Sequence, residues 1–261
     1  MSTNLKLFLL ISLTIVVIVM VAMLKPIAQA PAYHHFADTR AWLGIPNFMN
    51  VVSNFLFIVV GIKGWMLLSR ATISQGIFVI YATLFAGIVL TGLGSGYYHL
   101  HPDNNSLVYD RLPMTIVFMA LLSATIGEFI DPTVGLILLI PLIGLGVGSV
   151  LWWHYTEGIG KGDLRLYGFV QFYPIIFIPL VLILFPTTRG NGGTRQLVWV
   201  VVWYIVAKLC EQFDRQIYSA LGFVSGHSLK HIAAAMATWY LVRMFRGRYT
   251  RAVSVSQPTC Q

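Results

Sequence analysis

Apolar residues run almost unbroken from Leu7 to Leu24, and the same texture returns along the chain at regular intervals. The later stretches are Asn47 to Ser69, Gly76 to His99, Asp110 to about Glu128, Thr133 to Trp153, Leu164 to Phe185, Gln196 to about Gln212 and Gly226 to Phe245. Each falls close to the roughly 17–25 residues that an α-helix needs to cross a bilayer. The pattern therefore predicts an all-α polytopic membrane protein, a seven-transmembrane helix bundle with one additional N-terminal hydrophobic helix. Neither an internal repeat nor a low-complexity linker interrupts the seven core stretches, so residues 47–245 read as one domain.

The polar intervals refine this picture. Lys6 precedes the first apolar run, and residues 1–25 fit a signal anchor or a signal peptide, since Ala28-Gln29-Ala30 has the small-x-small form of a cleavage site. The run exceeds the roughly 7–15 apolar residues of a signal core, which favours an uncleaved anchor. Residues 26–46 carry Pro26, Pro31, His34, His35, Asp38 and Arg40 and read as an external loop.

Composition agrees with the pattern. The chain has 261 residues, 57% hydrophobic and 10% charged, with a mean hydropathy of +0.77. A soluble domain carries roughly 25% charged residues. The net charge of +8 does not imply a nucleic-acid partner, because the basic residues gather at span ends and in the tail, where they set topology. With both termini inside, the inner face receives Lys6, Lys63, Arg70, Arg189, Arg195, Arg243, Arg246, Arg248 and Arg251. The outer face receives Lys25, Arg40, Arg111, Lys161, Arg165 and Arg215. Residues 246–261 then form a cytoplasmic basic tail, and His99, Asp110, His227 and His231 all fall near the outer (periplasmic or lumenal) face. Cys210 and Cys260 are too differently placed to suggest a structural bridge.

This shared depth matters because of what the residues are. His227 and His231, in Ser225-Gly-His-Ser-Leu-Lys-His231, lie four apart on a helix, offset by about 40° and rising about 6 Å, so both rings can reach one ion. Ser95 and His99 repeat the i, i+4 spacing, and Asp110 follows eleven positions later. A single intramembrane histidine is more often a hydrogen-bonded interior residue than a ligand. Three at one depth, with a hydroxyl and a carboxylate, instead match an open catalytic Zn2+ site with His99, His227 and His231 as ligands. Asp110 is then the candidate general acid/base, and Ser95 either an oxyanion donor or a residue that orients a ligand.

Other polar residues read more plainly. Asn50, Ser53 and Asn54 share a face and suit hydrogen bonds between helices. Lys208, Glu211 and Asp214 form a candidate ion-pair cluster beside the site. Tyr167, Gln171 and Tyr173 are candidates for a headgroup pocket. Trp152, Trp153, His154 and Tyr155 read as interfacial belt, and His101 as a solvated loop residue. Adjacent His34 and His35 point apart and suit no shared metal. Haem needs ligands on opposite sides of a macrocycle, which i, i+4 imidazoles do not offer, and a transporter's inverted repeat is not seen.

Ser95-Gly-Tyr-Tyr-His99, Asp110 and His227-Ser-Leu-Lys-His231 together resemble the S-x-x-x-H, D, H-x-x-x-H signature of the alkaline ceramidase family. That family belongs to a superfamily of membrane hydrolases that also includes adiponectin-type receptors. The similarity spans Asn47 to Phe245 and includes Asn47-Phe-Met-Asn-Val-Val-Ser-Asn54. It implies a zinc amidase that cleaves the N-acyl bond of ceramide to a long-chain base and a fatty acid, with the lipid entering sideways from the bilayer. On that analogy His99, His227 and His231 bind zinc, Asp110 handles protons and Ser95 stabilises the oxyanion. Animal members carry an acidic calcium site before the first core helix. Here Asp38, Trp42 and Asn47 stand there without a Glu, so no calcium site is expected. The alternative within the superfamily is a zinc-binding receptor or stress-response protein without amidase turnover.

Overall fold

The computed structural model describes residues 1–186 and 192–250. Arg189, Arg251 and Cys260 lie outside the described residues. The helices follow in order as α1 (Thr3–Met23), a 3-10 turn (Pro31–His34), α2 (Phe48–Val52), α3 (Phe55–Leu68), α4 (Gln75–Leu100), α5 (Asn104–Phe129), α6 (Pro132–Gly158), α7 (Arg165–Leu184), α8 (Gly192–Gln212), α9 (Asp214–Leu221) and α10 (Gly226–Tyr249). Among the described residues there is no β-strand, only an isolated bridge between Trp42 and Ile45. The chain is thus an all-α, multi-pass membrane protein. By length and apolarity, six spans qualify alone (α2 and α3 counting as one), and the pair α8 and α9, bent by 77°, makes up to seven. α10 has 24 residues, about 36 Å, but Lys230 and the arginines of its second half leave it less apolar than the rest.

Two helix starts differ from the expected ones for identifiable reasons. α5 begins six positions before Asp110, because Asp103 and Ser106 form a reciprocal capping box: the Ser106 N–H donates to Asp103 at 2.6 Å and the Asp103 N–H to Ser106 Oγ at 3.0 Å. Asp110 therefore lies well inside the helix instead of opening it. The first core span is broken between α2 and α3. There the Asn50 carbonyl accepts from Ser53 Oγ at 3.2 Å and Asn54 Nδ2 at 2.7 Å, so side chains displace the regular ladder. α6 also runs past the expected end and carries Trp153 into the bundle, fully buried and not part of an interfacial belt.

α1 lies against α7. Its buried Leu10 joins Val170, Tyr173, Phe177 and Val181, and the Thr14 and Tyr173 hydroxyls meet at 2.6 Å. Tyr173 thus anchors α1 and does not line a headgroup pocket. At the C-terminal end of α1, Arg165 Nη1 donates to the Ala22 and Leu24 carbonyls at 3.2 and 2.8 Å. The same guanidinium pairs with Asp163 at 2.8 Å. Its hydrogen bonds hold the Asp163 carboxyl down at about 2. A lowered carboxyl contributes stability that is complete above its unfolded value, about 4, and is lost as pH falls towards 2. Accordingly, Asp163→Asn should melt below the parent protein at pH 5 to 7, and the gap between the two melting temperatures should close between pH 4 and 2.

At the end of the bundle opposite to that loop, Glu128 accepts from Tyr81 at 2.8 Å and Tyr249 at 2.6 Å and pairs with Arg248. This buried cluster ties the C-terminal end of α10 to α4 and α5. Rings of Tyr81, Phe85 and Phe245 fill the space beside it.

Candidate metal centre

Two close backbone approaches assemble the site. At Gly94 an added Cβ would lie 1.9 Å from the Tyr109 carbonyl oxygen, so α4 and α5 touch there and their next residues, Ser95 and Asp110, come side by side. At Gly226 a Cβ would lie 2.3 Å from the Cys210 carbonyl oxygen, so the start of α10 tucks against the end of α8. Ser225 caps α10 by accepting from the Ser228 N–H at 3.1 Å. The bend into α9 turns Asp214 to accept the His227 N–H at 2.7 Å. Asp214 is therefore a support for the helix start, not a member of the expected ion-pair cluster.

His99, His227 and His231 converge, with one ring nitrogen of each lying within 4.8 Å of the others and exposures of 0%, 5% and 2%. His99 Nε2 and His231 Nε2 are 3.2 Å apart. Two nitrogens held tetrahedrally at about 2.0–2.1 Å from zinc lie roughly 3.3–3.4 Å apart, so the spacing fits a shared ion. The supporting contacts fit as well. His231 Nδ1 meets Ser53 Oγ at 2.7 Å, a hydroxyl that can accept from Nδ1–H and leave the Nε2 lone pair for an ion, whereas Asn54 Nδ2, 3.4 Å away, is a donor and cannot fill that role. A partner on the second ring nitrogen fixes the tautomer and aims the first. His99 Nδ1 has no partner among the described residues. The Asn47 amide donates to the His99 carbonyl at 2.9 Å.

The loop before α2 closes the site from its polar side. The Phe36 ring packs 4.7 Å from His99 and 4.5 Å from His227, centroid to centroid. The loop is pinned by the Ala37 N–H to Asp214 at 2.9 Å, by Asn50 Nδ2 to the Asp38 carbonyl at 3.0 Å, and by Arg40, which bridges Asp38 and the Phe223 carbonyl, each at 2.8 Å. The Arg40 guanidinium holds the Asp38 carboxyl below its ordinary value. Thus Asp38 is satisfied by Arg40, Asn47 by a carbonyl, and Trp42 is 61% exposed. His34 bridges the Tyr98 hydroxyl at 2.9 Å and Asn104 at 3.0 Å.

Away from the loop the site opens into an apolar cavity. Ser95, Asp110, Lys230 and His231 stand at one end, and the lining extends along α10 to Leu241, about 15 Å further. Gln171 lines this cavity and donates to Tyr204 at 3.1 Å. Tyr167 does not: it lies with Trp153 on the buried guanidinium of Arg111, 4.5 and 4.1 Å from the rings. Arg111, counted above as an outer-face charge, is only 4% exposed and donates to Gln29 at 2.6 Å. Glu211 pairs with Lys208, as expected, and also with Lys230 at 3.0 Å. Lys230, Phe36 and the ligand-facing role of Ser53 were not singled out in the sequence. A lysine within the apolar run that holds both α10 histidines was the available signal for the first.

A family model described as Ceramidase matches residues 40–257. No curated protein and no solved structure matches the chain. Because that match runs from the capping loop through every core helix and past the end of α10, well over half the sequence, the chain belongs to the ceramidase family.

Proposed function

We propose that the protein is a zinc-dependent membrane amidohydrolase that cleaves the N-acyl bond of ceramide-like lipids to a long-chain base and a fatty acid. The observation that carries this reading is the convergence of three imidazoles, one of which, His231, reaches the polar end of an apolar cavity also lined by Ser95 and Asp110. His99, His227 and His231 would hold the ion. Bound there, zinc supplies Lewis-acid activation of water at neutral pH.

The chain's own residues carry the remaining steps. Asp110 takes a proton from the attacking water and returns it to the departing amine nitrogen as the C–N bond breaks. The water oxygen ends in the fatty-acid carboxylate. Ser95, beside Asp110, donates to the oxygen that gains negative charge in between. The apolar walls hold the acyl chain and keep bulk water out, and Phe36 screens two of the imidazoles from the opposite side. Such a cavity suits a lipid that enters from the bilayer, between helices.

We further place the metal centre towards the outer face, with the C-terminus inside. Three of the six basic residues assigned to the outer side, Arg40, Arg111 and Arg165, are engaged by Asp38, Gln29 and Asp163, against Arg248 with Glu128 among the described residues assigned inside, which supports the positive-inside assignment. Purified protein should contain about one zinc per chain and release fatty acid from an N-acyl sphingosine, with both properties removed by a chelator and restored by zinc. Metal without turnover on any N-acyl lipid would favour the receptor reading. Ser53→Ala, which strips the partner from His231 Nδ1, should weaken zinc binding by about 10–100-fold in chelator competition.

A further inference from the structure

Lys230 sits between the two α10 histidines, with its side chain only 16% exposed, and lines the cavity beside Ser95, Asp110 and His231. Its ammonium reaches Glu211 at 3.0 Å and His227 Nε2 at 3.2 Å. A structural ion pair would explain Lys230 if Glu211 needed a cation. Glu211 already has one, because Lys208 pairs with its other oxygen. Two ammonium groups thus share the Glu211 carboxylate, and Asp110, which bonds Ser95 at the same end of the cavity, balances the second charge, so what Lys230 retains there is spare N–H donors. Nor does His227 occupy Lys230 permanently. When that ring's lone pair is given to a metal it accepts no hydrogen bond, and Lys230 keeps N–H donors without a protein acceptor.

We propose that Lys230 is the carboxylate-binding residue of this cavity and holds the fatty acid that hydrolysis releases. The assignment rests on the amidase reading for the identity of its ligand. A buried cation with spare donors favours an anion at the head of an apolar chain, which is the form of a fatty acid. The long-chain base carries an ammonium, to which Lys230 offers no acceptor. The amine therefore leaves first and the acid is retained, so fatty acid and not free base should act as the product inhibitor.

The test uses the full chain, zinc-loaded in detergent, with hexadecanoate and hexadecanol as probes for calorimetry and zinc content measured in every sample. The parent protein should bind the acid at least about tenfold more tightly than the alcohol, as expected for a charge-assisted hydrogen bond. Lys230→Met should bring the two affinities together with zinc retained, and Lys230→Arg should keep the preference. A Lys230→Met protein that still prefers the acid overturns the assignment, since the metal alone then accounts for it. Should Lys230→Met fail to fold, Lys230→Gln keeps a donor for Glu211 and is read in the same way. N-acyl lipid hydrolysis is assayed alongside. Its absence together with a Lys230-dependent preference refutes the amidase reading while supporting the carboxylate site.

Discussion

An Asp110→Asn protein should keep its zinc and release fatty acid about 10²–10⁴-fold more slowly than the parent, the range that a positioned general acid/base contributes. The substitution preserves shape, so the close approach at Gly94 and the neighbouring Ser95 should be undisturbed. It removes the carboxylate charge and with it the ability to take up a proton at the cavity wall. Asp110 is 5% exposed and lines that wall, whereas the converging metal-binding group consists of the three histidines. Two measurements on one preparation, zinc per chain and fatty acid released from an N-acyl sphingosine, distinguish the outcomes. Loss of zinc would make Asp110 part of the metal site, and unchanged turnover would remove it from the proton pathway.

Asp110 also shows how much of this architecture could be read in advance. Hydropathy located every long helix, with ends that differ by up to six residues, because burial in a bilayer leaves the same apolar signature on each span. The convergence of His99, His227 and His231 followed from alternation of helix direction: the end of α4 and the start of α10 must share a face. Irregularities were less legible. The break after α2 depends on Ser53 and Asn54 capturing one carbonyl, and the early start of α5 on a capping pair, both local contests between side chain and backbone. In each case the irregularity serves the site by turning Ser53 towards His231 or by setting Asp110 opposite Ser95.

The cationic residues were misread for a different reason. A topology count treats arginine as a solvated charge, yet Arg111 lies among aromatic rings, and Lys230, which the count passed over, lies beside a buried carboxylate. Nothing in a one-dimensional pattern separates a snorkelling cation from one caged by tertiary contacts. The stretch at residues 26–46 was likewise legible as a polar loop but not as a cap. Its docking relies on Asp214 and Asn50, more than 170 and 12 positions away from the atoms they hold.

Removing imidazoles should have the largest effect of all. His227→Ala and His231→Ala proteins should each fall from about one zinc per chain to near none after dialysis, with fatty-acid release at background. Each residue offers one of the three converging nitrogens, so its loss would leave two to hold an ion. His231→Ala should also leave Ser53 Oγ without its ring partner, making it the more disruptive of the pair. His227 has its backbone N–H fixed by Asp214 whatever its side chain, so helix content by circular dichroism should survive His227→Ala. His101→Ala, on the exposed connection after α4, is the matched control and should keep both metal and turnover. A His227→Ala protein that is folded, retains a full complement of zinc and cleaves lipid at the parent rate would refute the metal centre, because no other histidine is placed to take over its position among the described residues.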